Sequence, residues 1–212
     1  MGGLPFDPLQ ERLTEREVAE GGSAHLTLLP YALGDGGTHT LHINNHDATS
    51  SLYPLNTAGN APFPLLAQLQ TVRTETVATK RLDDVVPHQP VDFLKLDVQG
   101  GGLLILEHAR EVLKQTALVH CKVEFSPIYQ GQPLFGDIAA FLDRHGFYFL
   151  DFTFFGHYAS ETRLGFNSKD RLMWADALFL RRDPSADVKS SQALSLALIY
   201  QKFALADHLL SL

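Results

Sequence analysis

The chain has 212 residues, a hydrophobic fraction of 45% and a formal net charge of −7, which suits one domain with a sizeable core. The negative charge and the lack of a basic run argue against a nucleic-acid partner, because such binding depends on clustered Lys and Arg. One cysteine, Cys121, excludes an internal disulfide and fits a reducing compartment. No apolar stretch approaches the ~20 residues of a membrane span, and residues 1–9 do not resemble a signal peptide. We therefore expect a cytoplasmic protein without membrane contact.

The first elements are a helix and two strands. Asp7 before Pro8 is typical of an N-cap with proline at the first helical position, and the helix should stop near Gly21. Residues 25–33 and 38–43 predict strands joined by a tight Gly-rich turn.

A polar stretch follows over residues 44–64. It is rich in Asn, Ser, Thr, Gly and Pro, and predicts a long surface loop of the kind that is often functional in compact domains. Thr71–Lys80 is rich in Thr and Val and predicts a strand, after which residues 82–86 predict a short helical turn.

The sequence VDFLKLDVQGGG, residues 91–102, predicts a strand that ends in a Gly-rich turn, and a helix should follow to about residue 114. Asp97 lies at the strand tip, where ligands of parallel sheets gather. There it could accept a proton or a hydrogen bond from a ligand hydroxyl. It could equally cap the helix or brace the loop, while the three glycines are best explained by the turn alone.

Residues 117–125 alternate between an apolar face and a polar face that carries His120, Lys122 and Glu124. This strand is therefore partly exposed, or its polar face lines a site. Glu124 ends the strand and should lie near Asp97, unless it is only a solvated strand-end charge. A further helix should begin at Pro133 and end at Gly146.

Two late strands, residues 147–155 and 177–181, precede a C-terminal helix from Ser190. That helix is apolar nearly all round, so it should be buried or shared with a partner such as a second copy of the chain. The alternating elements predict an α/β fold with helices on both faces of the sheet. We expect a domain over residues 1–183 and a helical extension over residues 184–212.

Several enzyme classes are excluded by missing motifs. The chain has no HExxH, GxSxG or GxGxxG, and Gly131 and Gly136 have P-loop spacing without the required lysine. His39 and His42 face opposite sides of their strand, so we expect no metal site there. Tyr129, His157 and Trp174 are interpreted as packing or rim residues.

The run FLKLDVQGGGLLILEHA resembles the signature of the FkbM-type methyltransferases. Other stretches are similar to successive pieces of that family: YALGD, ATSSLYP, VRTETVATKRLDDVV, VEFSPIYQGQPLF and WADALFLRR. The resemblance covers nearly the whole chain. It implies a class I, Rossmann-like fold and S-adenosylmethionine-dependent methyl transfer to a hydroxyl of a sugar or other small metabolite.

The resemblance also implies site residues. Those on the cofactor side are Asp7, Ala32, Leu33, Asp35 and Gln99. By the resemblance, Asp7 would hold the ribose hydroxyls, Ala32 and Leu33 with Asp35 would lie beside the adenine, and Gln99 would stand near the transferred methyl. On the acceptor side, Asp97 would orient or deprotonate the hydroxyl, and Glu124 would lie at the next strand tip.

The sequence departs from the family pattern in two respects. The family's first strand and its cofactor loop should precede Leu4, and Gln99 and Gly102 stand where the family usually has Glu. We therefore expect an incomplete sheet and weak or no cofactor binding by the chain as given. The alternative hypothesis is a non-catalytic remnant or interaction module that keeps the fold.

Overall fold

The computed structural model describes residues 27, 29–86 and 89–211. The chain divides into two units, Met1–Ala32 and Leu33–Leu212, and the account below concerns the second. The helix expected after Asp7 lies outside the described residues, and so does part of the strand expected at residues 25–33. Where that segment is described, its strand is β1 (Ala32–Leu33).

A small three-stranded sheet contains β1, β2 (Thr38–Asn44) and β3 (Thr71–Lys80), in the order β1-β3-β2. β2 and β3 pair antiparallel over nearly their full lengths, as their content of β-branched residues favours. The backbone at Gly34, just after β1, lies so close to Thr79 of β3 that only glycine fits, because a Cβ there would lie 2.8 Å from Thr79 Oγ1.

The larger sheet contains β4 (Leu94–Leu96), β5 (Leu118–Glu124), β6 (Phe147–Tyr158) and β7 (Arg171–Arg181), in the order β4-β5-β7-β6. β4 runs parallel to β5, and β7 runs antiparallel to both of its neighbours. Within the described residues β4 is an edge strand. The prediction of an incomplete Rossmann-like α/β sheet is confirmed.

Eight helices and a short 3-10 helix at Asp47–Thr49 complete the described part. The helices are α1 (Thr57–Asn60), α2 (Pro64–Ala67), α3 (Leu82–Val85), α4 (Gly102–Glu107), α5 (Arg110–Lys114), α6 (Phe135–Arg144), α7 (Ala186–Leu198) and α8 (Phe203–Ser211). None of these described helices has both the length and the hydropathy needed to cross a membrane.

The two faces of β5 explain how the layers are held. Val119, Cys121 and Val123 are fully buried on one face, in the core formed with α4, α5 and α6. Leu118 faces the other side, where α7 and α8 cover the start of the strand. Helices therefore lie on both faces of the sheet, as predicted.

The single helix expected over residues 103–114 is instead two short helices, α4 and α5. The Asp83 carboxylate accepts hydrogen bonds from the backbone N–H groups of Glu111 and Val112 at about 3 Å. This tertiary cap gives α5 its own N-terminus, and no local sequence pattern marks a cap supplied from 28 residues away.

The C-terminal helix expected from Ser190 is likewise two helices. The break between α7 and α8 includes Gln201, whose φ of 55° is incompatible with a continuing helix. Gln192 is buried and donates hydrogen bonds to the carbonyls of Ala117 and Arg181, which anchors α7 to the sheet. Several large apolar residues nevertheless remain exposed on this pair: Leu194, Leu198, Ile199, Phe203 and Leu210.

β7 begins at Arg171 rather than at the expected residue 177, because its pairing with β6 continues through several bulges. In this extension Trp174 lies opposite Gly156. A Cβ at Gly156 would lie 2.2 Å from the indole, so the indole packs directly on the β6 backbone. Phe154 stacks on the same indole with ring centroids 5.4 Å apart.

This packing predicts that Gly156→Ala displaces Trp174 and lowers the free energy of unfolding by about 1–3 kcal/mol, the usual cost of overpacking. Urea unfolding followed by circular dichroism measures the loss, and the emission of Trp174, the single tryptophan, reports its displacement.

Gly136→Ala is the matched control, since a Cβ there meets nothing within 4 Å. It should leave the Trp174 emission unchanged and be neutral or stabilising by up to about 1 kcal/mol. Equal stabilities and spectra for the two variants would contradict the packing argument.

Candidate functional site

Asp97 directly follows β4 at the carboxyl edge of the larger sheet. Its side chain is 59% exposed, and Lys95 Nζ lies 3.2 Å from its Oδ2. Because Leu96 pairs in parallel register with Cys121, the next residues on the two strands, Asp97 and Lys122, are neighbours.

A cavity of about 480 Å³ opens at this edge, where the strand topology predicts a ligand site. Its volume is within the range typical of small-molecule pockets. The lining is mostly apolar and aromatic with a few polar groups, and consists of His46, Ala48, Thr49, Leu65, Leu66, Leu69, Asp97, Gln99, Lys122, Ile128, Tyr129, Tyr158 and Trp174.

The loop before α1 is bound to the strand-tip loop by specific hydrogen bonds. Ser51 is buried, and its hydroxyl donates to the carbonyl of Gln99 at 2.6 Å. The Tyr129 hydroxyl donates to the carbonyl of Thr49 at 2.8 Å, with Gln99 Oε1 3.4 Å away. These contacts make residues of the predicted long loop part of one wall of the cavity.

Glu124 lies beneath the glycine loop and is absent from the residues that line the cavity. It is only 1% exposed, and its Oε1 has no hydrogen-bond partner. Burial raises the pKa of Glu124 to about 7, while nearby Lys122 and the backbone amide of Gly100 offset part of that rise. A carboxyl group in this position can hold the loop in place, and it is partly protonated near neutral pH.

Asp35 lies in the turn between β1 and β2. Its Oδ1 accepts hydrogen bonds from the Gly37 N–H at 2.7 Å and from Thr79 Oγ1 at 3.3 Å, and His39 Nε2 is 2.7 Å away. The His39 contact and the Gly37 N–H lower the pKa of Asp35 to about 2, so this carboxylate is ionised and braces the turn.

The residues implied by the resemblance thus fall into separate places. Gln99 lines the cavity together with Asp97. Leu33 packs against the main core, and Ala32 is partly buried in β1; neither they nor Asp35 line that cavity. Asp7 lies outside the described residues.

The sequence predicts only weak roles for three residues of the cavity. It predicts packing or rim positions for Tyr129 and Trp174, and both pack and line the cavity. Lys122 was noted only as part of a polar strand face, and its ammonium lies 4.4 Å from the centroid of the Trp174 ring. The alternation in β5 was the signal available for Lys122. His157 lines a different cavity.

Among the residues that the structure describes, no group of three His, Cys, Asp or Glu side chains could hold a metal ion. His39 is engaged with Asp35 instead.

Comparison with protein families gives a match of residues 4–149 to the model described as the methyltransferase FkbM domain. The chain belongs to the FkbM methyltransferase family. No curated protein and no solved structure matches it. The FkbM match includes Asp97, Lys122 and Glu124, while Tyr158 and Trp174, two walls of the cavity, lie beyond it.

The buried carboxyl group of Glu124 predicts a pH dependence of stability. The folded-state pKa of about 7 exceeds the ordinary value of 4.5, so the folded state binds this proton more tightly than the unfolded state. Stability should therefore fall as the pH rises from about 4.5 through about 7, by up to about 3 kcal/mol in total. Glu124→Gln should remove this decline.

The measurement is the free energy of urea unfolding between about pH 5 and pH 8 for both proteins. Glu111→Gln, at an exposed site, is the control and should retain the wild-type slope. Parallel stability curves for the wild type and Glu124→Gln would show that Glu124 is not the titrating group.

Proposed function

We propose that the chain is an S-adenosylmethionine-dependent O-methyltransferase acting on a hydroxyl of a small molecule. The observation that carries this proposal is the position of Asp97, which lies at the carboxyl end of a parallel strand and lines a pocket-sized cavity. Family membership supplies the reaction class, and the carboxylate suggests oxygen as the methyl acceptor.

S-adenosylmethionine, when bound, supplies the methyl group. Asp35 is suited to a cofactor contact because it is ionised, and its Oδ2 accepts no hydrogen bond from a described residue. Gln99 presents an amide to the cavity beside Asp97. We include Ala32, Leu33 and, by the resemblance, Asp7 in the proposed cofactor side.

The proposed role of Asp97 follows from its exposure and its neighbour. Its carboxylate can accept a hydrogen bond from the acceptor hydroxyl and so orient the attacking oxygen. When the acceptor oxygen takes the methyl group and the carbon–sulfur bond of the bound cofactor breaks to leave a neutral thioether, Asp97 would take the hydroxyl proton. The Lys95 ammonium at 3.2 Å helps to position Asp97, and Glu124 positions the loop that follows it.

A cytoplasmic location is part of the same proposal. The single cysteine is an unpaired thiol buried in β5, and burial raises the pKa of Cys121 well above its usual range. Such a thiol is chemically inert, and its presence is compatible with a reducing compartment.

Asp97→Asn should reduce methyl transfer at least about 100-fold, because an amide cannot take the proton. Transfer of the labelled methyl of S-adenosylmethionine to a panel of hydroxylated small molecules measures the loss. Cofactor binding by calorimetry should change less than about threefold, and the stability should be nearly unchanged at this exposed site.

Asp143→Asn, another surface carboxylate that pairs with a basic side chain, is the control and should retain full transfer. Because the departures from the family pattern predict weak binding, calorimetry is run up to millimolar S-adenosylmethionine. The proposal is wrong if no binding is detected there, or if Asp97→Asn transfers methyl groups at the wild-type rate.

A second candidate function is that of an interaction module, and the exposed apolar side chains of α7 and α8 favour it. Leu194 and Leu198 are four residues apart on one face of α7 and are 61% and 79% exposed, and Phe203 in α8 is 64% exposed. We propose that a second copy of the chain covers this face, since a two-fold axis brings identical patches together.

Sedimentation should then give about twice the 23.5 kDa mass of one chain. Leu198→Glu should raise the dimer dissociation constant at least about tenfold, because it places a charge in an apolar contact. Leu164→Glu, at an equally exposed leucine in a loop, should leave the dimer intact. A strictly monomeric protein that binds the cofactor would rule out this second function.

A further inference from the structure

The cavity beside Asp97 has an apolar wall. Seven of its lining residues have large apolar or aromatic side chains: Leu65, Leu66, Leu69, Ile128, Tyr129, Tyr158 and Trp174. A ligand that fills the cavity must place apolar surface against this wall, because burial of apolar area is the main source of its affinity.

Most hydroxyl groups at the cavity are already bonded within the protein. The Thr49 hydroxyl donates to the carbonyl of His46 at 2.7 Å, and the Tyr129 hydroxyl donates to the carbonyl of Thr49. A sugar buried here would lose water from several hydroxyls and regain few partners, which is costly. The wall therefore favours a ligand with an apolar body.

Lys122 provides a positive charge on the same lining. It is half-buried, and within the described ranges no carboxylate lies within 4.0 Å of its ammonium. Asp97 is paired with Lys95, and Asp176, the cross-strand neighbour of Lys122, lies 4.0 Å from His120 instead. The ammonium contacts the face of Trp174.

The Trp174 indole is a fixed support for this charge, because it packs on the backbone of Gly156 and stacks on Phe154. A cation–π contact at a partly exposed site is weaker than a charge-assisted hydrogen bond to a carboxylate. An anionic ligand group can therefore draw the Lys122 ammonium from the ring without a large energetic cost.

We propose that the methyl acceptor is a hydroxylated carboxylic acid with an aromatic or branched aliphatic body, and that Lys122 binds its carboxylate. Asp97 would then receive the hydroxyl, and the apolar wall would hold the body of the ligand beside these two charged side chains. This inference rests on the proposed methyltransferase function and makes Lys122 a specificity-determining residue of its acceptor side.

The test uses two probes of matched shape, 3-hydroxyphenylacetate and 3-hydroxyphenylacetamide, with glucose as a polar hydroxylated probe. Trp174 is the single tryptophan and lines the cavity, so quenching of its emission reports binding at this place. The carboxylate should bind about tenfold more tightly than the amide, as one added charge-assisted hydrogen bond predicts, and glucose should not quench.

Lys122→Gln should reduce the preference for the carboxylate to less than about twofold while binding of the amide is retained. Lys114→Gln, at an exposed lysine on α5, should keep the tenfold preference, and circular dichroism checks that each variant is folded. The inference would be overturned if the wild type binds the carboxylate and the amide equally, or if it binds glucose more tightly than the carboxylate.

These outcomes are separate from those of the proposed function, because the binding test contains no S-adenosylmethionine. If the protein discriminates the carboxylate but transfers no methyl group, the methyltransferase proposal fails alone. If it methylates uncharged hydroxyl compounds through Asp97 and ignores the charge, the acceptor assignment fails alone.

Discussion

The parallel pairing of β4 with β5 determines the geometry of the whole site. Three residue pairs, from Leu94 with Val119 to Leu96 with Cys121, align the ends of the two strands. This alignment makes Asp97 and Lys122 neighbours and sets the glycine loop above Glu124. Gly100 has a φ of +73° and is buried, so the loop can turn this sharply above the carboxyl group without steric strain.

The carboxylates and the lysine near the cavity differ in how strongly the protein itself engages their charges. Asp35 is ionised and uses its Oδ1 to brace a turn, whereas burial keeps Glu124 close to protonation at neutral pH. Asp97 and Lys122 both line the cavity, and each makes only a weak interaction within the protein. Asp97 is in an exposed ion pair with Lys95, and the Lys122 ammonium lies over the ring of Trp174. Exchange of these contacts for substrate contacts therefore costs little.

The α/β class, the strand Thr71–Lys80 and the position of Asp97 could be predicted because they depend on local periodicity and on the resemblance. The breaks within two predicted helices could not, since one arises from the distant cap by Asp83 and the other includes a left-handed backbone at Gln201. The contact between Trp174 and Lys122 in the cavity wall could not be predicted either. Trp174 meets Lys122 only when β7 pairs with β5, and no pattern along the chain encodes that contact.

The alternation along β5 also protects the pairing itself. A slip of one residue against β4 would move Lys122 into the place of Cys121, which is fully enclosed by the core, and would turn core side chains toward the cavity. An ammonium group enclosed among aliphatic side chains is strongly unfavourable. Lys122 thus favours the correct register, and a variant with an apolar residue at this position would lose that protection against misaligned strands.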